Sequence, residues 1–277
     1  MLNCSLCLLG GLGLDAERRL WKHAVVTWND YRHLGQRFFS QAQHDRVLAD
    51  IPQAEAALQR GDLRFFLHRL PRAARMRVWP LVQDRAVYLD IETTGLCEGA
   101  APTTAMLYDG RRLRAFVAGI NLDALPEAVP PHAVLVTYNG LRFDLPRLRR
   151  FLGTPLRRPH LDLAPVLRAA GFGPGLKACE RQLGVARKVE RDISGEAAVG
   201  LWARYQQGDK SALDRLLAYN AQDALVLERV LAASYNLSMK DCPGFRPVAL
   251  PRQPATIEIG HSTEITCGIG TPENHNM

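Results

Sequence analysis

One run constrains this chain more than any other. Arg85-Ala86-Val87-Tyr88-Leu89-Asp90-Ile91 is rich in β-forming side chains and apolar almost throughout, as a buried strand must be. It then ends in acid. Asp90 and Glu92 stand at i and i+2 of the strand end, so their side chains leave the same face. Two neighbouring carboxylates repel, which costs stability unless a proton or a cation intervenes. Taken alone, the pair fits a metal site and a solvated strand end equally well.

The flanking sequence builds the rest of the sheet. Thr104 to Tyr108 and Leu113 to Ala118 surround Asp109-Gly110, a two-residue hairpin signal. Ala133 to Tyr138 reads as a second buried strand. Asp144 is placed to cap a helix that runs to about Leu152 and stops at Gly153. Pro159 to Leu163 is a short strand, and Lys177 to Leu183 and Glu196 to Gln206 are helical in pattern. In the last helix Ser211 and Asp214 have capping-box spacing. Leu213, Leu216, Leu217, Ala224, Leu227 and Leu231 then make one apolar stripe. Beyond Tyr235 the pattern dissolves, and Pro251 to Met277 reads as a polar tail. Strands alternating with helices, plus one hairpin, specify an α/β fold with a mainly parallel sheet and an antiparallel member. The expected divisions are a helical region over 1–80, the sheet domain over 81–237 and a flexible tail over 238–277.

Residues 1 to 80 hold two ambiguous features. Gly10-Gly11-Leu12-Gly13 is either a plain interhelical turn or a turn that offers amides to phosphate. Arg64, Arg69, Arg72, Arg75 and Arg77 mix with Phe65 and Phe66, a combination that either grips single strands or builds core.

Charge points outward to a partner. The net charge of +7 is carried mostly by arginine, the only lysines being Lys22, Lys177, Lys188, Lys210 and Lys240. Arginine pairs with phosphate in bidentate fashion. Arg111-Arg112-Arg114, Arg147-Arg149-Arg150 and Arg157-Arg158 flank the acidic segments, which favours a nucleic-acid partner over an even spread of charge. No run approaches the ~18 apolar residues of a membrane span. Met1 to Leu14 lacks a basic leader, so no signal peptide is expected. Six cysteines without regular spacing fit reduced thiols and a cytoplasmic location. Cys4-Ser5-Leu6-Cys7 has no second pair with which to hold zinc.

Four segments bear the candidate chemistry in a fixed order: Asp90-Ile91-Glu92-Thr93-Thr94-Gly95-Leu96, Tyr138 to Asp144, His160-Leu161-Asp162-Leu163, and Tyr219 to Asp223. Thr93, Thr94 and Gly95 supply hydroxyls and a pliant backbone where a nucleotide could approach. Asn139 and Phe143 could hold a sugar and stack on a base, although strand-to-helix loops often carry such residues. Asp162 reads as mainly structural, with a role near the site as the second-rank alternative. Tyr219 and Asp223 are i and i+4 on one helix face, and a tyrosine bonded to a carboxylate would also explain them.

Asp90-x-Glu92, Asn139 with Phe143-Asp144, and Tyr219-x-x-x-Asp223 resemble the three exonuclease motifs of the DEDD superfamily, in its tyrosine-bearing branch. Tyr138-Asn139-Gly140, Phe143-Asp144-Leu145-Pro146, His160-Leu161-Asp162-Leu163, Ile193-Ser194-Gly195-Glu196 and Tyr219-Asn220-x-x-Asp223 are similar to the YprB-like exonucleases of ribonuclease-H fold. The resemblance covers about residues 85 to 235. It implies a ribonuclease-H-like mixed sheet flanked by helices, and two Mg²⁺ or Mn²⁺ ions held by Asp90, Glu92, Asp144 and Asp223. It also implies that Tyr219 orients a water, and that Thr93, Thr94, Leu96, Asn139 and Phe143 contact substrate. The expected activity is 3′→5′ exonucleolysis of single-stranded nucleic-acid ends, DNA or RNA. Rivals are a structure-specific endonuclease of the same fold and a non-catalytic nucleic-acid-binding module. Carboxylate-pair hydrolysis of sugars leaves Asn139, Tyr219 and the basic charge unexplained.

Overall fold

Helices come first in the chain. The computed structural model describes residues 1–185, 195–252, 256–259 and 264–268. Two short 3₁₀ turns precede α1 (Leu14–Lys22), α2 (Trp28–Leu34), α3 (Gln41–Gln59), α4 (Leu63–Arg69) and α5 (Trp79–Val82). Thr27 caps α2 in a full capping box with Asp30. The sheet strands are β1 (Ala86–Thr93), β2 (Pro102–Tyr108), β3 (Leu113–Val117), β4 (Val134–Thr137), β5 (His160–Asp162), β6 (Thr256–Ile259) and β7 (Glu264–Gly268). Helices α6 (Leu125–Ala128), α7 (Asp144–Leu152), α8 (Leu163–Ala169), α9 (Leu176–Gln182), α10 (Gly195–Gln206) and α11 (Lys210–Met239) complete the chain.

The strand order is β5-β4-β1-β2-β3-β7-β6. Pairs β4–β5 and β1–β4 are parallel, and the remaining pairs are antiparallel. The sheet is therefore mixed rather than mainly parallel. β1 lies inside the sheet between β4 and β2 and is buried along nearly its whole length. One face of it, Val87, Leu89 and Ile91, joins a core with Ala105, Leu107, Phe116, Leu125 and Leu148. The other face carries Tyr88, Asp90 and Glu92, opposite Tyr108, Met106 and Thr104 of β2. There α11 meets the strands through Asn220.

The chain forms two compact units. One comprises Met1–Asp84, Ala164–Leu183 and Leu231–Leu250; the other comprises Arg85–Leu163, Gly184–Val230 and Pro251–Met277. Most of α8, all of α9 and the end of α11 thus group with the N-terminal helices, not with the sheet as the expected 81–237 division had it.

The segment read as a flexible tail over 238–277 is built into the structure in its described parts. Asn236 brackets Val248, accepting from its amide at 2.8 Å and donating to its carbonyl at 2.9 Å. Further on, β6 and β7 add two antiparallel strands to the free edge of β3. Their alternation of β-branched and polar residues, as in Thr256-Ile257-Glu258-Ile259, is a period-two pattern too short to stand out. The Ile193-Ser194 half of one motif lies outside the described residues.

Three local expectations shift by a residue or two. The hairpin tip is Gly110-Arg111, because Asp109 donates its amide to the Arg112 carbonyl at 3.2 Å. The Asp109 carboxylate then accepts from the amides of Arg111 and Arg112, an Asx turn in place of the expected Asp-Gly turn. Asp144 is the first residue of α7, not its cap, and no side chain caps that helix. Asp209 takes the role expected of Ser211, accepting from the Ala212 amide at 3.2 Å and the Ser211 hydroxyl at 2.6 Å.

The ambiguous N-terminal features resolve toward structure. The Gly10 amide donates to Asp50 at 2.7 Å, so a carboxylate occupies the place where a phosphate would bind. A Cβ at Gly10 would lie 2.6 Å from Val47, and its φ of +49° is a further reason for glycine there. Phe66 is fully buried, and Arg77 pairs with buried Glu17 at 2.6 Å. Among the described residues, no cysteine takes part in a group that could hold a metal.

Candidate functional site

β1 delivers its acids at the point where it stops pairing regularly. The register between β1 and β2 shifts between Glu92 and Thr93, and such irregularities re-aim side chains at strand ends. α11 delivers the third acid. Ligating oxygens of Asp90, Glu92 and Asp223 all lie within 4.8 Å of one another, and all three residues are half-buried. Oxygen donors of this kind suit hard divalent cations such as Mg²⁺ and Mn²⁺, so the residues present fit the implied ions.

The electrostatics describe a site with too much negative charge. Burial, then the charges of Asp223 and Asp144, push the Glu92 carboxyl up to about 8. Asp144 is buried, and burial followed by the charge of Asp162 raises it to about 7. Hydrogen bonds from the backbone of Asp144 and Ile91, and the charge of Arg147, pull it back only in part. A proton or a cation must therefore share this space near neutral pH. Asp144 acts on Glu92 by charge but stands outside the close cluster of three.

A fully buried asparagine holds the arrangement in place. Asn220 donates from Nδ2 to Asp90 at 2.6 Å and accepts from the Thr104 hydroxyl at 3.0 Å. The sequence assigned no role to Thr104, and none to Asn220 beyond its place in the Tyr219-Asn220-x-x-Asp223 stretch. The available signal was position: Asn220 falls three or four residues from Leu216, Leu217 and Ala224 of the apolar stripe. A buried amide there must find partners.

Asp162 serves the neighbouring loop. Its two oxygens accept from the amides of Asn139 at 2.7 Å and Leu141 at 3.0 Å. Thr137 accepts from the Gly140 amide at 3.1 Å and shares a hydrogen bond with His160 Nε2 at 2.9 Å. The turn is tight: Asn139 has φ +66°, and a Cβ at residue 140 would lie 2.2 Å from the Thr137 hydroxyl. This turn aims the chain into α7 and so positions Asp144.

The remaining candidates are scattered around the cluster. Tyr219 is half-buried, one turn before Asp223 on α11. The Thr93 hydroxyl donates to the Gly95 carbonyl at 2.6 Å, and the Thr94 hydroxyl accepts from the Ala101 amide at 3.1 Å. Both threonine side chains therefore shape the loop after β1. Leu96 is 72% exposed at its tip. Phe143 packs on the core, and Arg147 covers one face of its ring at 3.8 Å, so that face is closed to a base.

The arginine clusters are less available than composition suggested. Arg147 is buried and donates to the carbonyls of Leu96, Cys97 and Phe143. Arg158 ties down the carbonyls of Val129 and Pro130, and Arg114 that of Ala128. Arg111, Arg112, Arg149, Arg150 and Arg157 remain on the surface.

Among the described residues, no helix is long and apolar enough to cross a membrane. No curated protein matches the chain. A family model does match, that of the RNase_H superfamily, over residues 87–235. The matched region begins in β1 and ends in α11, and it contains Asp90, Glu92, Asp144 and Asp223 together. Such a domain implies a nucleic-acid substrate, and its acidic cluster, able to bind divalent metal, fits a nuclease. With more than half of its 277 residues matched, the chain belongs to the RNase_H superfamily.

Proposed function

We propose that this protein is a metal-dependent 3′→5′ exonuclease that hydrolyses phosphodiester bonds at single-stranded nucleic-acid ends. The observation that carries the reading is the close set of Asp90, Glu92 and Asp223 oxygens, with Asn220 bonded to Asp90 behind them. The motif order, including Tyr219 and Asp144, supports the exonuclease branch and the YprB-like group, and the cysteine usage supports a cytoplasmic setting.

In this reading Asp90, Glu92 and Asp223 hold divalent cations, and Asp144 completes the set for a second ion. When bound, the cations supply an acidified water as nucleophile and stabilise the departing 3′ oxygen. The chain's own residues do the rest. Asn220 fixes the rotamer of Asp90, and so the direction of its carboxylate oxygens. Tyr219 offers a hydroxyl beside Asp223 to orient the attacking water. Glu92 and Asp144 hold protons near neutrality when no cation is present and release them when one binds. The turn braced by Asp162 sets the approach of the substrate end.

A 5′-labelled single strand incubated with Mn²⁺ tests the proposal. Shortening by single nucleotides from the 3′ end is expected, with no products from Asp90→Ala and no nicking of a circular single strand. Internal cuts in the circle would move the assignment to an endonuclease. Binding without cleavage under either metal would leave a binding module.

A further inference from the structure

We propose that a groove along the outer face of α7 binds the substrate strand upstream of the nucleotide being removed. The inference rests on the exonuclease reading and extends it from the cleaved bond to the strand behind it. The groove holds about 490 Å³, and Leu141, Leu145, Pro155 and Leu156 line it together with Arg149 and Arg150.

Its position follows from the register of the helix. Leu141, Leu145 and Arg149 are spaced by four, so they share one side of the turn and helix. Arg147, between them, points the other way to the carbonyls of the Leu96 loop. The upper end of the groove, at Leu141, lies on the same turn that leads into Asp144. The lower end lies past the C-terminus of α7, after nine residues of helix, roughly 13 Å away at the usual rise per residue. A strand whose last phosphodiester sits at the acids can thus continue along α7.

The lining matches that occupant. Leu141 is 58% exposed, an apolar surface that a nucleobase would cover. The groove contains two arginines and no acid. Arg150 is partly engaged by Glu98, through its backbone carbonyl and a 3.8 Å ion pair. Arg149 has no hydrogen-bond or carboxylate partner among the described residues and is the cation left for a phosphate. A charged groove with apolar walls, starting at the turn that leads into Asp144, fits a single strand better than a small neutral ligand.

The test compares an octanucleotide with a dinucleotide, in deoxy and ribo form, on wild type, Arg149→Glu and Leu141→Ser. Arg149→Glu is expected to raise KM for the octanucleotide about tenfold, the scale of a lost charge-assisted contact, with kcat kept. Leu141→Ser should raise the same KM by a smaller factor, and Arg149→Lys should restore most of it. Both constants for the dinucleotide, which is too short to reach Arg149, should stay as in wild type. Unchanged octanucleotide KM in both variants overturns the groove, and so does an equal loss on both substrates. If wild type cleaves neither substrate, the exonuclease reading fails on its own. Fluorescence anisotropy of the octanucleotide in Ca²⁺ then decides the groove, since Arg149→Glu must still weaken binding.

Discussion

The molecule buries charge in two places and in opposite ways. In the helical unit, Glu17 is fully buried, with Arg77 on one oxygen at 2.6 Å and the Cys7 amide on the other at 3.0 Å. Arg77 also reaches the Ser238 carbonyl at 3.1 Å. In the sheet unit, burial and then the charges of other acids raise Glu92 and Asp144, while nearby Arg147 donates its N–H groups to carbonyls. The first arrangement is neutral as built. The second becomes neutral only with protons or cations. Opposite charges buried as a pair build a fold, whereas like charges buried together hold a repulsion that a ligand relieves.

The largest effect that would sharpen this contrast lies in the pair. Arg77→Met leaves Glu17 charged and buried, which should cost about 3–5 kcal/mol in urea unfolding. Replacing both partners with apolar residues should recover much of that loss. A cost near that of a surface ion pair, below ~1 kcal/mol, would break the comparison from this side.

The acids should respond the other way. Asp223→Asn is expected to lower activity at least about a hundredfold, on the scale of damage to a metal site. Yet in chelator it should not lower the melting temperature. The Glu92 carboxyl is raised to about 8, so its contribution to stability is intact at low pH and is lost as pH rises through that value. Removing the Asp223 charge should flatten that loss. Mn²⁺ should raise the melting temperature of wild type and do so far less in the variant. A chelated variant that melts well below wild type at pH 8 would show that Asp223 is a structural acid.

Asn220 stands between the two cases, as a neutral brace for a charged ligand. Asn220→Ala should reduce activity by about 10–100-fold through misplacement of Asp90. It should also destabilise the protein by about 1–3 kcal/mol, because the Thr104 hydroxyl loses its acceptor. Activity that falls while the affinity for Mn²⁺ stays constant would sever the brace from the metal site.

What the sequence disclosed follows the same division. Elements written in long patterns were legible: β1 and β4 as apolar runs, α7 from its terminal glycine, α11 from its stripe. The mixed sheet was readable only in part, because short β6 and β7 carry too few residues to announce a strand. Of the site, the acids were visible through their joint order and spacing, since each alone also had a structural explanation. The work of Asp162 was hidden, since it depends on β5 meeting the turn after β4 in space. The arginines misled for a related reason. Composition counts charge, but only the fold shows whether a guanidinium faces solvent or, like Arg147 and Arg158, ties down carbonyls.

A half-buried acid on α11 offers the smallest effect and the finest test. Glu228 stands alone on α11, with the Tyr108 hydroxyl as hydrogen-bond partner, and burial pushes its carboxyl up to about 7. It has neither the cation of Glu17 nor the crowd of acids around Glu92. Nearby Tyr88, two residues before Asp90 on the same face of β1, is buried with no partner for its hydroxyl among the described residues. Because the folded value is raised, the stability tied to Glu228 is fully present in acid and is lost as pH rises through about 7. Glutamine keeps an acceptor for Tyr108 and does not titrate. Glu228→Gln should therefore raise the melting temperature by a few degrees at pH 8, on the order of 1 kcal/mol, and change it little at pH 5. Mn²⁺ should leave this gain unaltered, whereas the relief from Asp223→Asn should shrink once Mn²⁺ is present. An equal gain at both pH values would mean that packing, not charge, separates Glu228 from glutamine.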